Sequence, residues 1–175
     1  MSESQTVRVA ILMGSDSDLP VMAEAVKVLN KLAVGCEVHV TSAHRSPERT
    51  AEIVGGAPGR GVQVFIAGAG SAAHLAGVVA AHTTLPVLGV PLAASDLNGL
   101  DALLATAQMP AGIPVGTLAI GKAGAANAAW LAAAILAIGD EGLAQRLREA
   151  RDAMAGKVAE KSHAAQKRLA ELLGS

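Results

Sequence analysis

Five short runs of branched apolar residues, each followed by a polar or small-residue turn and then by a stretch with helical spacing, constrain this chain more than any other feature. Val7 to Met13 reads as a buried strand, because branched side chains on both faces suit a sheet covered on both sides. The polar turn Gly14-Ser15-Asp16-Ser17-Asp18 follows. Met22, Ala25, Val26, Leu29 and Leu32 then predict a helix, with Pro20 in its first turn, where a missing N–H costs little. Glu37 to Val40 reads as a second strand, and Pro47 opens a second helix with Ser46 as its expected N-cap. Val62 to Ala67 predicts a third strand. The loop Gly68 to His74 comes next, then a small-residue helix to about His82. Pro86 to Val90 predicts strand four, Ser95 to Ala107 a loop and helix, and Val115 to Ile120 strand five. An Ala-rich helix is expected from about Ala123 to Ile138. This alternation implies an α/β fold, a three-layer α/β/α sandwich around a parallel sheet with right-handed crossovers. Ligands in such sheets bind beyond the carboxyl ends of the strands. The polar loops after strands one, two and three are therefore expected to share one edge.

Composition narrows the function. With 175 residues the chain suits one domain, residues 1–175, with its α/β core over 7–140 and a C-terminal helical tail over 141–175. The formal net charge of -1 supplies no global basic field, and Phe65 and Trp130 are the only aromatic residues of the Phe, Trp and Tyr kind. Nucleic acid is not an expected partner, since it wants both charge and stacking platforms. Cys36 is the lone cysteine, so no intrachain disulfide forms, which fits a reducing compartment. Met1 to Thr6 lacks the layout of a signal peptide. The apolar stretch Ala123 to Gly139 falls short of the roughly 20 residues of a membrane span. A cytoplasmic protein without membrane contact is expected. The 38 Ala and 19 Gly residues give little burial per residue, so further burial from other subunits is expected. In the tail, Leu143, Leu147, Ala150, Met154 and Val158 form an apolar stripe, resumed by Leu169 and Leu172. Such a stripe serves equally a surface helix on its own domain and a helix reaching a neighbouring subunit.

Three loops carry candidate chemistry. The first places Ser15 and Asp18 at a helix start. There Asp accepts hydrogen bonds from ribose hydroxyls well, although capping alone accounts for the same residues. In the second, His44 suits proton transfer near neutral pH, Arg45 forks onto phosphate or carboxylate, and Ser42 adds a hydroxyl. A merely solvated loop is the alternative. The third, Gly68-Ala69-Gly70-Ser71-Ala72-Ala73-His74, lacks the third glycine of a dinucleotide fingerprint, and no acidic residue follows strand two, so that motif is rejected. Its glycines suit close approach of backbone to a flat substrate. His74 reads either as a ligand contact or as a helix-start histidine. His39, His82 and His163 lack partners at metal-ligand spacing, so no metal site is expected. No nucleophile elbow is present, which argues against serine hydrolase chemistry.

Taken together, the ordered stretches Met13 to Asp18, Ser42 to Pro47, Ala67 to Leu75, Pro86 to Pro91, Gln108 to Val115 and Ala119 to Ala128 resemble the PurE family. The resemblance runs from about Val7 to Asp140. It implies a flavodoxin-like sheet and an N5-carboxyaminoimidazole ribonucleotide (N5-CAIR) mutase of purine (IMP) biosynthesis. Such an enzyme makes 4-carboxy-5-aminoimidazole ribonucleotide (CAIR) with no metal or organic cofactor. It implies a homo-octamer whose partners are the small ribonucleotide substrate and transient CO2. By the same resemblance His44 is the general acid–base, Ser15 and Asp18 contact the ribonucleotide, and Arg45 contacts its phosphate side. Ser42, Gly70, Ser71, His74 and Leu75 belong to the pocket around the imidazole and the migrating CO2. The chain departs from the family pattern at Ser71, where Gly is usual, at Ala76, where Pro is usual, and at Ala102 and Ala107. Ser71 matters most, because it adds a side chain beside the expected CO2 pocket. Two alternatives stand beside the mutase: a carboxylase acting directly on aminoimidazole ribonucleotide (AIR) and CO2, and a non-catalytic ribonucleotide-binding paralogue.

Overall fold

A computed structural model describes residues 6–173. The chain divides into two compact units, one ending at Leu136 and the other beginning at Ala137. In the first unit the elements run β1 (Val7–Met13), α1 (Leu19–Lys31), β2 (Gly35–Val40), α2 (Pro47–Gly55), β3 (Val64–Gly70), α3 (Leu75–Ala81), β4 (Val87–Leu92), α4 (Leu100–Ala107), β5 (Gly116–Thr117) and α5 (Lys122–Leu136). All strand pairs are parallel, in the order β2-β1-β3-β4-β5. This is the flavodoxin-like order, in which the chain leaves β1 for one side, returns, and continues on the other. The crevice between the carboxyl ends of β1 and β3 is where that reversal opens the sheet.

The expected alternation produces a three-layer sandwich. Successive β1 side chains point to opposite faces. Ala10 and Leu12 join Phe65, Ala67, Val54, Leu75, Ala76 and Val79 in one core beneath α2 and α3. On the other face α1 packs against α5, with Met22, Ala25 and Leu29 buried on one helix and Ala125, Ala128, Ala129 and Ala132 on the other. Alanines let the two axes approach closely. The stretch Lys122–Gly139 is long and apolar enough to cross a membrane by length and composition. Seven positions of α5 are nonetheless buried within the fold, as expected of a core helix.

Two strands differ from their sequence-based limits. Strand three runs on through Gly68 and Gly70, which pair with Val90 and Leu92, so half of the expected glycine loop is sheet. A Cβ on Gly70 would strike Ala94 and approach the Leu92 carbonyl, so glycine is required there, whereas one on Gly68 would displace the end of the Met22 side chain. Strand five shrinks from the expected Val115 to Ile120 to Gly116–Thr117. Gly89 and Pro91 turn their carbonyls toward this edge, accepting from Leu118 N and Gly121 N, each at 2.9 Å. Pro91 has no N–H to return, so the ladder ends there.

In the second unit a short turn, Ala137–Gly139, leads into α6 (Glu141–Leu173). Asp140 accepts Leu143 N at 2.9 Å and starts the helix. Arg148 bonds Glu141 at 2.6 Å along one face. Met154, Val158, Leu169 and Leu172 of the apolar stripe are exposed.

Candidate active site

The loops after β1, β2 and β3 do meet at one rim of the sheet. They enclose a cleft of about 310 Å³ lined by Gly14, Ser15, Ser17, Asp18, Ser42 to Arg45, Ala69 to Ala72, Leu75 and Ala94. Ser15, Asp18, Ser42, His44, Arg45, Gly70, Ser71 and Leu75, all singled out from sequence, share it. His74 does not line the cleft itself; its ring meets that of His44. Sequence reasoning missed Ser17 and Ala94. Ala94 follows the carboxyl end of β4, so the rule that ligand loops gather at strand ends points to it.

The first loop is a capping box. Ser15 Oγ accepts Ser17 N at 3.3 Å, and Asp18 Oδ2 accepts Ser15 N at 3.0 Å. Both residues therefore cap the short turn Asp16–Asp18 while they line the cleft. Burial pushes the Asp18 carboxyl above its ordinary range; the Asp16 charge adds to this, and N–H bonds from Ser15 and Gly14 oppose it.

The second loop rests on hydroxyls. Ser42 Oγ accepts His44 N at 3.3 Å and Arg45 N at 3.2 Å, which bends the chain so that His44 leaves it at the rim. Ser46 takes the N-cap position of α2 as expected, but its hydroxyl does not cap the helix. It turns back, accepting Ser42 N at 3.0 Å and donating to Ser42 O at 3.2 Å. Beneath it Thr50, fully buried, donates to Ser46 O at 3.2 Å and lies 2.8 Å from the buried Thr41 hydroxyl. Four hydroxyl side chains thus brace the turn that carries His44. Ser42 and Ser46 are expected from sequence, as a cleft hydroxyl and an N-cap; Thr41 and Thr50 are not, because nothing local in the chain shows that their hydroxyls meet.

The third loop begins where Gly70 ends β3. Ser71 follows with φ +52°, and His74 N bonds Ala72 O at 2.8 Å as α3 starts. His74 Nδ1 lies 2.8 Å from His44 Nε2, with the rings edge to face at 83°. One of these two nitrogens carries the shared proton and the other accepts it, so each ring constrains the tautomer of the other. A histidine at the rim with one ring nitrogen held by a second histidine is equipped to pass a proton to and from a small ligand. Among the described residues, no three of His, Cys, Asp and Glu are grouped to hold a metal ion. A larger cavity of about 930 Å³ lies at the opposite end of the sheet, where β4 and β5 begin; its walls are mainly apolar, and His82 is the ionisable residue among them.

The model of the AIR carboxylase family matches residues 8–157. N5-carboxyaminoimidazole ribonucleotide mutase from Brucella melitensis is 54% identical over 156 residues, covering 89% of this chain and 96% of that protein. The mutase of Escherichia coli is 53% identical over 159 residues, covering 91% and 94%. That of Pyrococcus horikoshii is 50% identical over 170 residues, covering 97% and 93%. Among solved structures, a single-substitution variant of Treponema denticola PurE2 has TM-score 0.82 at 23% identity, covering 91% of this chain and 98% of its own, and so speaks for the fold. Treponema denticola PurE has TM-score 0.79 at 25% identity, covering 89% and 96%.

Proposed function

This chain belongs to the AIR carboxylase family, and on that premise we propose that it is an isomerase of purine biosynthesis that converts N5-CAIR to CAIR. The observation that carries this reading is identity of 50% or more, over nearly their whole length, to relatives named as that mutase. The geometry of the rim supports it.

In the proposed mechanism the ribonucleotide lies in the cleft between the three loops. Ser15 and Asp18 face its ribose, and Arg45 faces its phosphate. Protonated His44 gives its proton to the nitrogen that bears the carboxylate. The C–N bond breaks, CO2 is released, and the nitrogen keeps the electron pair. C4 of the enamine-like ring then attacks the CO2, and the proton on C4 returns to His44. One proton leaves the imidazole and one comes back, so the step is an isomerisation and needs no other reactant. Ser42, Gly70, Ser71, Leu75 and the backbone N–H groups beside them form a small enclosure that suits holding CO2 between the two bond changes. His74 steadies the tautomer of His44.

The homo-octamer that the family resemblance implies belongs to the same proposal, and the exposed stripe of Met154, Val158, Leu169 and Leu172 offers a surface that another copy would cover. A small charged metabolite as substrate supports a cytoplasmic setting.

The test uses N5-CAIR with 13C in its carboxylate. Labelled CAIR formed from it, without ATP and without dilution by unlabelled bicarbonate, is the expected result. CAIR made only from AIR and bicarbonate would overturn the mutase in favour of direct carboxylation; ligand binding without turnover would favour a non-catalytic paralogue.

A further inference from the structure

Ser71 occupies a backbone conformation that glycine would hold without strain. Its φ of +52° lies in the left-handed region, where Cβ crowds the following carbonyl. The position is anchored, since Gly70 immediately before it is pressed against Ala94 and ends β3 in register with Leu92. Ser71 therefore lines the cleft from a fixed root, opposite the loop of His44. The bond its hydroxyl donates, to Ala94 O, is long at 3.4 Å. Ser15 donates its hydroxyl to Asp16 Oδ1 at 3.2 Å, and Ser42 Oγ is fixed in place by accepting two backbone N–H groups; of these three serines only Ser71 has a positive φ. A strained residue with a weakly committed donor at a ligand cleft points to a function for that donor.

We infer that Ser71 is a substrate-contacting residue that holds the migrating carboxylate. Its hydroxyl leaves Ala94 O and donates to a carboxylate oxygen. It keeps CO2 in the cleft between loss from nitrogen and capture by carbon. The inference rests on the mutase reading and deepens it.

Two substitutions separate hydroxyl from backbone. Ser71→Gly removes strain and hydroxyl together, whereas Ser71→Ala removes the hydroxyl and keeps Cβ. Each is compared with wild type on carboxylate-labelled N5-CAIR, measuring KM, kcat and the share of label lost as free CO2. Both variants are expected to raise KM about tenfold, equivalent to one hydrogen bond to a charged group. This rise exceeds any fall in kcat, and both variants lose more label, while Ser71→Gly melts above wild type. Wild-type KM and label retention in Ser71→Gly would overturn the inference alone, whatever Ser71→Ala does, because any effect would then belong to the backbone. A wild-type protein that makes no labelled CAIR overturns the mutase reading and the inference together, before any variant is compared.

Discussion

Replacing Thr50 by Val tests whether the hydroxyl brace under the His44 turn matters for both stability and turnover. The two side chains are nearly the same shape, and both are β-branched, so α2 loses little intrinsic propensity. The substitution removes one bond at 2.8 Å to Thr41 Oγ1 and one at 3.2 Å to Ser46 O. Ser46 O keeps Thr50 N as a donor at 3.1 Å, so that carbonyl is not stranded. Thr41 is 2% exposed, and its hydroxyl is left with Ser46 Oγ at 3.4 Å, beyond good hydroxyl geometry. Leaving a buried donor unsatisfied costs about 1–3 kcal/mol, and the surviving bond to Ser46 O places Thr50→Val in the lower half of that range, about 1–2 kcal/mol. For a chain of this size that lowers the melting temperature by about 2–8 °C. Because Ser46 holds Ser42, and Ser42 holds the backbone of His44, kcat should fall more than KM changes. Thr50→Ser, which keeps the hydroxyl, should restore most of kcat. Differential scanning calorimetry and steady-state kinetics on the three proteins check this. A Thr50→Val protein that melts with wild type and turns over at its rate would refute the brace.

His44→Asn should fold and bind CAIR but lose about 100-fold or more of kcat, the usual worth of a general acid–base; near-normal turnover would remove His44 from its role. Arg45→Ala should raise KM for the ribonucleotide more than it lowers kcat, and an unchanged KM would contradict the phosphate assignment. Glu37 accepts Arg60 Nη2 at 2.7 Å on the edge strand, and this guanidinium, with help from His39, holds the carboxyl below its ordinary range. A carboxyl depressed by folding adds stability that is present above its unfolded pKa, near 4.5, and is lost as pH falls through the lower folded value. Solvent reaches Arg60, so the pair contributes at most about 1 kcal/mol. Glu37→Gln should therefore melt below wild type at pH 7 and converge with it in acid. A constant gap across pH would refute the ion-pair account.

Much of the fold was legible because it depends on neighbours in sequence. Branched apolar runs, helical spacing and proline at helix starts give strand and helix order without reference to partners. They place His44, Ser42 and Arg45 at a strand end. The misjudged limits were those set by packing. Strand three extends through Gly68 and Gly70 because strand four runs alongside and pairs with it there, and strand five stops early because Pro91, on another strand, has no N–H to offer. The Ser46 hydroxyl likewise turns to Ser42 rather than to its own helix.

The amino-acid sequence by itself determined the alternation of elements, the parallel sheet it demands, and the rim at which the loops gather, since these follow from periodicity and turn chemistry. Only the tertiary structure decided that His74 meets His44 across 30 positions, that Thr41 and Thr50 lie under the turn, and that Ser71 sits with a positive φ. These pairings depend on how whole elements pack, and that balance of many weak contacts is not written in any short stretch of chain.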